Sequence, residues 1–456
     1  MMRWASLPAA TLYIASAAIM PLHAQAIEPP SVPPGALPVG PVAPLSPTEQ
    51  KAACGTGTTF PGSQFHTQMG ADAMLNYTSA WQFSRGAGQK VAVIDTGVAP
   101  NPRLPALQAG GDYVSTSDGL VDCDAHGTLI AGLIAAAPSP DDTFAGVAPD
   151  ATILSIRQSS IAYSLQGGGD TQNDPNATSP GYGNTQTLAL AIVRAVDLGA
   201  TVINLSEVAC SSVGSGLNDA GVGQAVKYAF ERNVVVVAAA GDIASQSLCS
   251  AQNEVRDPNL PLADAWKSVR TIASPDWFDD YVLSVGSLTA DAKPSDFSLH
   301  GPWIDVAAPG ERVTSIGSNG PGLINAFPDG QGNLVPINGT GFAAAYVSGV
   351  VALIRSRFPE LSAPEVMDRV KRTAHTPQVG PDAETGFGVI DPIAALTYQL
   401  PPAAGMPAVL AGRPISGPPQ PDPKSHRARN TVLAVMGACA ALAAVALAVV
   451  KRAGRT

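Results

Sequence analysis

Short runs of consecutive apolar residues recur along the middle of the chain. Four of them are rich in β-branched residues and show no polar alternation, at residues 90–95, 151–156, 201–205 and 233–239. Runs of this kind are typical of strands that are buried on both faces of a parallel sheet.

Longer amphipathic segments lie between these runs, at residues 126–136, 185–199 and 221–233. Strands that alternate with helices, without an internal repeat, predict a doubly wound α/β domain with a mostly parallel sheet between helices. We assign residues 75–398 to this domain.

Proline-rich segments flank the domain on both sides. In the N-terminal extension, residues 27–74, the stretch 27–50 has so many prolines that we expect an extended arm without helix or sheet ladders. The C-terminal segment, residues 399–430, indicates a spacer, with a proline-rich ligand for a partner protein as the alternative.

The first 26 residues resemble a secretory signal. Arg3 precedes an apolar run, and residues 24–26 form a small-x-small cleavage pattern, so we expect cleavage after Ala26. The alternative is an uncleaved N-terminal anchor.

Near the other end, residues 431–450 form an uncharged apolar run of the length that crosses a bilayer. Basic residues lie on both flanks and do not decide its orientation. The signal peptide does: we expect a single-pass protein of the cell (inner) membrane, with its main domain on the extracytoplasmic, periplasmic side and residues 451–456 in the cytoplasm.

The net charge and the cysteines argue against two classes of function, binding to nucleic acid and binding of zinc. The formal net charge of −10 argues against binding to nucleic acid. Cys439 lies in the predicted span, where it acts as a small apolar residue. The exported cysteines, Cys54, Cys123, Cys210 and Cys249, can form two disulfides in three ways, and their spacing indicates no zinc site.

Three segments contain candidate functional residues. Asp95 ends the first apolar run, where functional groups of parallel sheets collect, although an Asp after a strand is often only a turn residue. His126 begins an amphipathic segment. Gly339 and Gly341 precede an alanine-rich helix whose N-terminus favours negative charge.

These segments resemble the Asp, His and Ser blocks of subtilisin-like serine proteases, in the order of that family. The stretches "VAVIDTGV", "HGTLIAG" and "NGTGFAAAYVSGVVALI" carry this resemblance. Further stretches, among them "GGDYVSTSDGLVDCDAHGTLIAGLIAA" and "TVINLSEVAC", resemble the mycosins, the membrane-anchored subtilisin-like proteases of type VII secretion systems. The resemblance covers essentially the whole chain.

The resemblance implies that Asp95 orients His126 and that His126 is the general base. Three positions depart from the family pattern. Gly341 stands where the family has its nucleophilic Ser, Asp242 stands where it has the oxyanion-binding Asn, and Ala345 replaces a Pro. Thr340 and Ser348 are the nearby hydroxyls that could stand in, and we expect neither to do so.

The resemblance to mycosins also implies disulfides Cys54–Cys123 and Cys210–Cys249, which would make the extension a permanent wrap. Residues 158–184 form a long polar loop, typical of disorder or of docking to a partner. Asp170 and Asp174 lie in it without an oxygen-rich ligand spacing, so we predict no metal and no cofactor.

The mycosin resemblance implies a structural role in a type VII secretion membrane complex. The absence of a serine at position 341 predicts loss of proteolysis. Two alternatives remain: an active endopeptidase with an unrecognised nucleophile, and a module that binds a peptide or a secreted protein without cutting it.

Overall fold

The structure, a computed structural model, describes residues 27–67, 70–167, 174–244, 249–254, 261–401, 436 and 444–446. The chain divides into two units, Met1–Ala403 and Ala404–Thr456. The predicted signal peptide and most of the predicted span, residues 431–450, lie outside the described residues. Within the described part of the chain, no helix combines the length and the apolar character needed to cross a membrane.

The strands of the first unit are short. They are β1 Thr48–Gln50, β2 Lys90–Asp95, β3 Leu107–Asp112, β4 Thr152–Arg157, β5 Tyr163–Leu165, β6 Val202–Leu205, β7 Ala209–Ser212, β8 Val235–Ala239, β9 Thr271–Ser274, β10 Val282–Leu288, β11 Ile304–Pro309, β12 Ser315–Ile316, β13 Leu323–Ile324, β14 Ala326–Pro328 and β15 Leu334–Pro336.

The helices differ more in length. They are α1 Gly70–Leu75, α2 Tyr77–Ala80, α3 His126–Ala135, α4 Thr185–Asp197, α5 Ala220–Glu231, α6 Thr340–Arg357, α7 Ala363–Thr373 and α8 Pro392–Thr397, with a 3₁₀ turn at Leu262–Ser268.

A seven-stranded sheet forms the centre, in the order β11-β10-β8-β6-β2-β4-β3. All of its neighbouring strands pair in parallel. The four apolar runs of the sequence are its strands β2, β4, β6 and β8, and the three amphipathic segments are α3, α4 and α5. The predicted α/β fold with a mostly parallel sheet is confirmed.

Successive residues of the central strands point to opposite faces, which gives the sheet two cores. Val91 and Val93 of β2 pack in the core that contains α3 and α6. Ala92 and Ile94 pack in the core that contains α4 and α5. This division explains why the strands are apolar without alternation.

Helix α6 crosses the first core and is buried from Thr340 to Arg355. Its small residues, including Gly349 and three consecutive alanines, allow close packing. A Cβ at Gly349 would lie 2.5 Å from the Cβ of Val147. The N-terminus of the helix lies beside the segments that follow β6 and β8, where it contacts Ser206 and Asp242.

The N-terminal extension lies along the domain. Val32 packs against the α4 and α5 core, and Thr58 bridges to Ala326. The prediction that residues 27–50 form no sheet ladder is wrong at its end, because β1 pairs antiparallel with β5. Pro47 is the last proline before β1, so the N–H groups of the next residues are free to pair.

Candidate active site

Asp95, the last residue of β2, is fully buried at the carboxyl edge of the sheet. Its Oδ1 accepts hydrogen bonds from Thr96 N at 2.7 Å and Thr96 Oγ1 at 3.2 Å. Its Oδ2 is buried and has no hydrogen-bond partner among the residues that the structure describes. The following chain turns sharply at Gly97, whose φ is +99°.

His126 is the first residue of α3, and two glycines allow it to approach Asp95. A Cβ at Gly127 would lie 2.1 Å from the carbonyl oxygen of Gly97. Because only glycine leaves room for this contact, the start of α3 lies directly on the turn after β2.

The two side chains form the expected pair. His126 Nδ1 lies 2.8 Å from Asp95 Oδ1, and the His126 side chain is 29% exposed. Burial lowers the pKa of His126, but the charges of Asp95, Glu207 and Asp122 and the hydrogen bond to Asp95 outweigh it and raise the pKa to about 10. The pairing with Asp95 thus favours the protonated form of the ring.

Gly341 is the second residue of α6 and is buried in the same region, where Phe342 packs on the His126 ring with a centroid distance of 5.1 Å. A Cβ at Gly341 would lie 2.9 Å from Ser206 Cβ and 3.0 Å from Ser206 O. Neither atom is the end of a flexible side chain. A larger residue at 341 thus requires the segment after β6 to move.

Asp242 accepts hydrogen bonds at the N-terminus of α6. Its Oδ1 accepts from Thr340 N at 2.8 Å and from Thr340 Oγ1 at 2.6 Å. Burial raises the pKa of Asp242, and the Thr340 hydrogen bonds and the His126 charge oppose this shift. A carboxylate here satisfies a free N–H of the helix end, whereas it offers an oxyanion no donor when ionised.

The hydroxyls nearest to Gly341 along the chain are engaged elsewhere. Thr340 Oγ1 donates to Asp242 and accepts from Gly241 N at 3.1 Å. Ser348 is fully buried, and its Oγ donates to Asn204 Oδ1 at 2.9 Å.

Two carboxylates of the site, those of Glu207 and Asp122, were not identified from the sequence. Glu207 is half-buried beside the pair, and burial and the charge of Asp95 raise its pKa to about 8. Burial raises the pKa of Asp122 to about 6, although hydrogen bonds from Thr128 act in the opposite direction. Glu207 comes two residues after a predicted strand, so the rule that singled out Asp95 could have found it.

Both disulfides are present in the pairing that the mycosin resemblance implies, Cys54–Cys123 and Cys210–Cys249. The first ties the extension to the loop just before His126. Among the described residues, no group of three or more His, Cys, Asp or Glu side chains could hold a metal ion. Asp170 lies outside those residues.

The fold and site match a known class of proteins. The profile of the subtilase family matches residues 86–388. Mycosin-1 of Mycobacterium tuberculosis (strain ATCC 25618 / H37Rv) is 44% identical over 427 residues, which are 93% of this chain and 94% of that relative.

Solved structures of mycosins are also similar to this chain. The crystal structure of MycP1 from Mycobacterium smegmatis has a TM-score of 0.77 and 44% identity, over 82% of this chain and 96% of that one. A chain in the structure of an intact ESX-5 inner membrane complex has a TM-score of 0.77 and 42% identity, over 94% and 100%. The protein belongs to the subtilase family and, within that family, to the mycosins.

Proposed function

We propose that this mycosin is a structural component of a type VII secretion membrane complex and that it has lost proteolytic activity. The observation that carries the loss of activity is Gly341, which provides no nucleophilic atom. Removing the serine of a subtilisin-type triad costs about 10⁶-fold in rate. Loop movement cannot restore a side chain that is absent.

Two further features support an inactive site. A side chain at 341 would crowd Ser206, and Asp242 accepts hydrogen bonds where an oxyanion needs donors. The departures are independent of one another, as expected for a site that is no longer used.

The structural role rests on similarity. A solved chain that this protein covers completely, at 42% identity, belongs to an intact ESX-5 inner membrane complex. A second solved structure, the periplasmic assembly from the ESX-5 inner membrane complex, contains a chain 44% identical to this one. We infer equivalent partners here, the membrane-complex components of a type VII system.

The proposed topology follows from the sequence. Residues 1–26 are a signal peptide, residues 27–74 wrap the domain 75–398, and residues 399–430 are a spacer to a span at 431–450. The tail 451–456 remains in the cytoplasm, and the domain lies on the periplasmic side.

Complementation of a strain that lacks the gene tests this function. The full-length wild type, His126→Ala and Asp95→Asn are expressed with a tag, and secretion by the cognate system and co-purifying membrane components are measured. We expect all three to restore secretion and the complex to the same level. Failure of His126→Ala and Asp95→Asn at wild-type abundance would show that the pair still performs necessary chemistry.

One observation favours a second candidate function, a peptide-binding module that does not cut. Among the described residues, the backbone groups of residues 206–208, beside Gly341, make no hydrogen bonds. A peptide strand could pair with them.

A further inference from the structure

We infer that residues 38–45 of the N-terminal extension dock into an apolar, aromatic-lined groove of another protein in the membrane complex. We call these residues the arm segment. The inference rests on the proposed structural role and adds the docking surface and the chemistry of its partner. Two observations carry it: a three-residue repeat in the sequence, and the exposure of the aliphatic side chains of that repeat in the structure.

The sequence of the arm segment, "PVGPVAPL", has a period of three residues. A large aliphatic residue follows each of its three prolines, at Val39, Val42 and Leu45. No charged residue occurs between positions 29 and 48. Because a polyproline II helix has three residues per turn, side chains three positions apart lie on one face. The repeat therefore predicts an uncharged strip of aliphatic side chains along the segment.

The aliphatic side chains of the repeat are exposed in the structure. Val39 is 89% exposed, Val42 39% and Leu45 37%. Pro38 and Pro44, in contrast, are half-buried. The extension forms no helix or strand before β1. The exposure thus follows the three-residue period, with the aliphatic residues towards solvent and two of the three prolines towards the domain.

The extension contacts the domain on both sides of the arm segment. Val32 packs against the core that contains α4 and α5, and β1 pairs with β5. Within the segment, the backbone N–H of Leu45 donates a hydrogen bond to the Tyr182 hydroxyl at 3.1 Å. These contacts restrict the conformations of the segment, so a partner that binds it loses less chain entropy than it would with a free peptide.

The arm segment differs from a scattered exposed aliphatic residue. Single residues of this kind are common on protein surfaces and need no partner; Val379, which is 68% exposed, is one. Three of them at a regular spacing on a proline-rich segment form the kind of surface that aromatic-lined grooves bind. An anionic membrane surface attracts basic segments, and the arm segment has no basic residue. A protein groove is therefore the partner that fits.

Site-specific crosslinking in the purified membrane complex tests the inference. A photoreactive benzophenone amino acid replaces Val39 in the tagged, full-length protein. It replaces Val379 in the matched control, because Val379 is also exposed but lies outside the extension. We expect position 39, and not position 379, to crosslink to another protein of the complex. Mass spectrometry of the adduct should place the attachment next to aromatic residues of that protein.

Substitutions at the same two positions test the contribution of the aliphatic side chain. Burial of a valine side chain contributes about tenfold or more to affinity, so Val39→Asp should lower the amount of partner retained on the tagged protein about tenfold. Val39→Leu keeps the apolar surface and should retain the partner, and Val379→Asp should change nothing. Because Val39 is exposed, Val39→Asp should unfold at the denaturant midpoint of the wild type. If Val39→Asp does not fold, crosslinking from position 39 decides alone.

Three results would overturn the inference: no crosslink from position 39, a crosslink from position 39 only to lipid or to a second copy of this chain, or retention of the partner by folded Val39→Asp at the wild-type level. The wild type tests the structural role separately. If the wild type retains no other component of the complex, the structural role fails. If it retains them and one of the three results occurs, docking through the arm segment alone is rejected.

Discussion

Gly341→Ser tests whether the missing serine hydroxyl is the only defect of the site. Gly341→Ser places a Cβ 2.9 Å from Ser206 Cβ and 3.0 Å from Ser206 O. Overpacking of this kind costs about 1–3 kcal/mol. The segment at Ser206 must therefore shift slightly to admit the new side chain.

Asp242 adds a second defect in the single variant. Loss of an oxyanion donor costs about 10²–10³-fold, and Asp242 is an acceptor in this structure. We therefore expect Gly341→Ser alone to regain only part of the about 10⁶-fold that the serine contributes, and to fall at least about 10²-fold short of it in the hydrolysis of fluorescently labelled casein.

Gly341→Ser combined with Asp242→Asn and Ser206→Gly should gain at least about 10²-fold over Gly341→Ser alone, since it supplies a donor and removes the nearer contact. Adding His126→Ala to this triple variant is the control and should remove the gain. If Gly341→Ser alone were as active as the triple variant, Ser206 and Asp242 would not be what limits the site.

Further predictions concern stability. Asp242→Ala should lower the free energy of unfolding by about 1 kcal/mol through the lost cap of α6, while Asp242→Asn should nearly preserve it, as denaturant melts can check. Replacing Cys54 and Cys123 by Ala opens a loop with a sequence separation of 69 residues and should cost about 4 kcal/mol; an unchanged midpoint would contradict this. The raised pKa of Glu207, about 8, exceeds the value near 4.3 of an unfolded chain, so its protonated form stabilises the fold at low pH and this contribution is lost as pH rises towards 8. Glu207→Gln should therefore gain stability relative to the wild type as the pH rises from 6 to 8, and parallel pH profiles of the free energy of unfolding would count against the burial of this carboxyl.

The sequence predicted the features that depend on local pattern. The central strands are apolar because both of their faces are buried, so their positions could be read to within two residues. Asp95 and His126 follow from strand ends and helix starts. β1 was missed because three residues after a proline run carry too little pattern to indicate a strand.

Contacts between distant segments could not be predicted in this way. Asp242 was interpreted as a poor oxyanion group, but its hydrogen bonds to Thr340 span 98 residues of sequence and appear only in the fold. The same holds for the contact of Ser206 with Gly341. Glu207 was predictable only in part. Its position after a strand could be read from the sequence, but its burial beside Asp95 depends on β6 lying next to β2.

The proposed loss of activity rests on a mycosin fold that is retained without a nucleophile. A serine-directed fluorophosphonate, incubated with the purified full-length protein and followed by intact mass, tests it most directly. We expect no adduct on the wild type under conditions that label an active subtilisin completely. A single adduct that disappears in His126→Ala would contradict it.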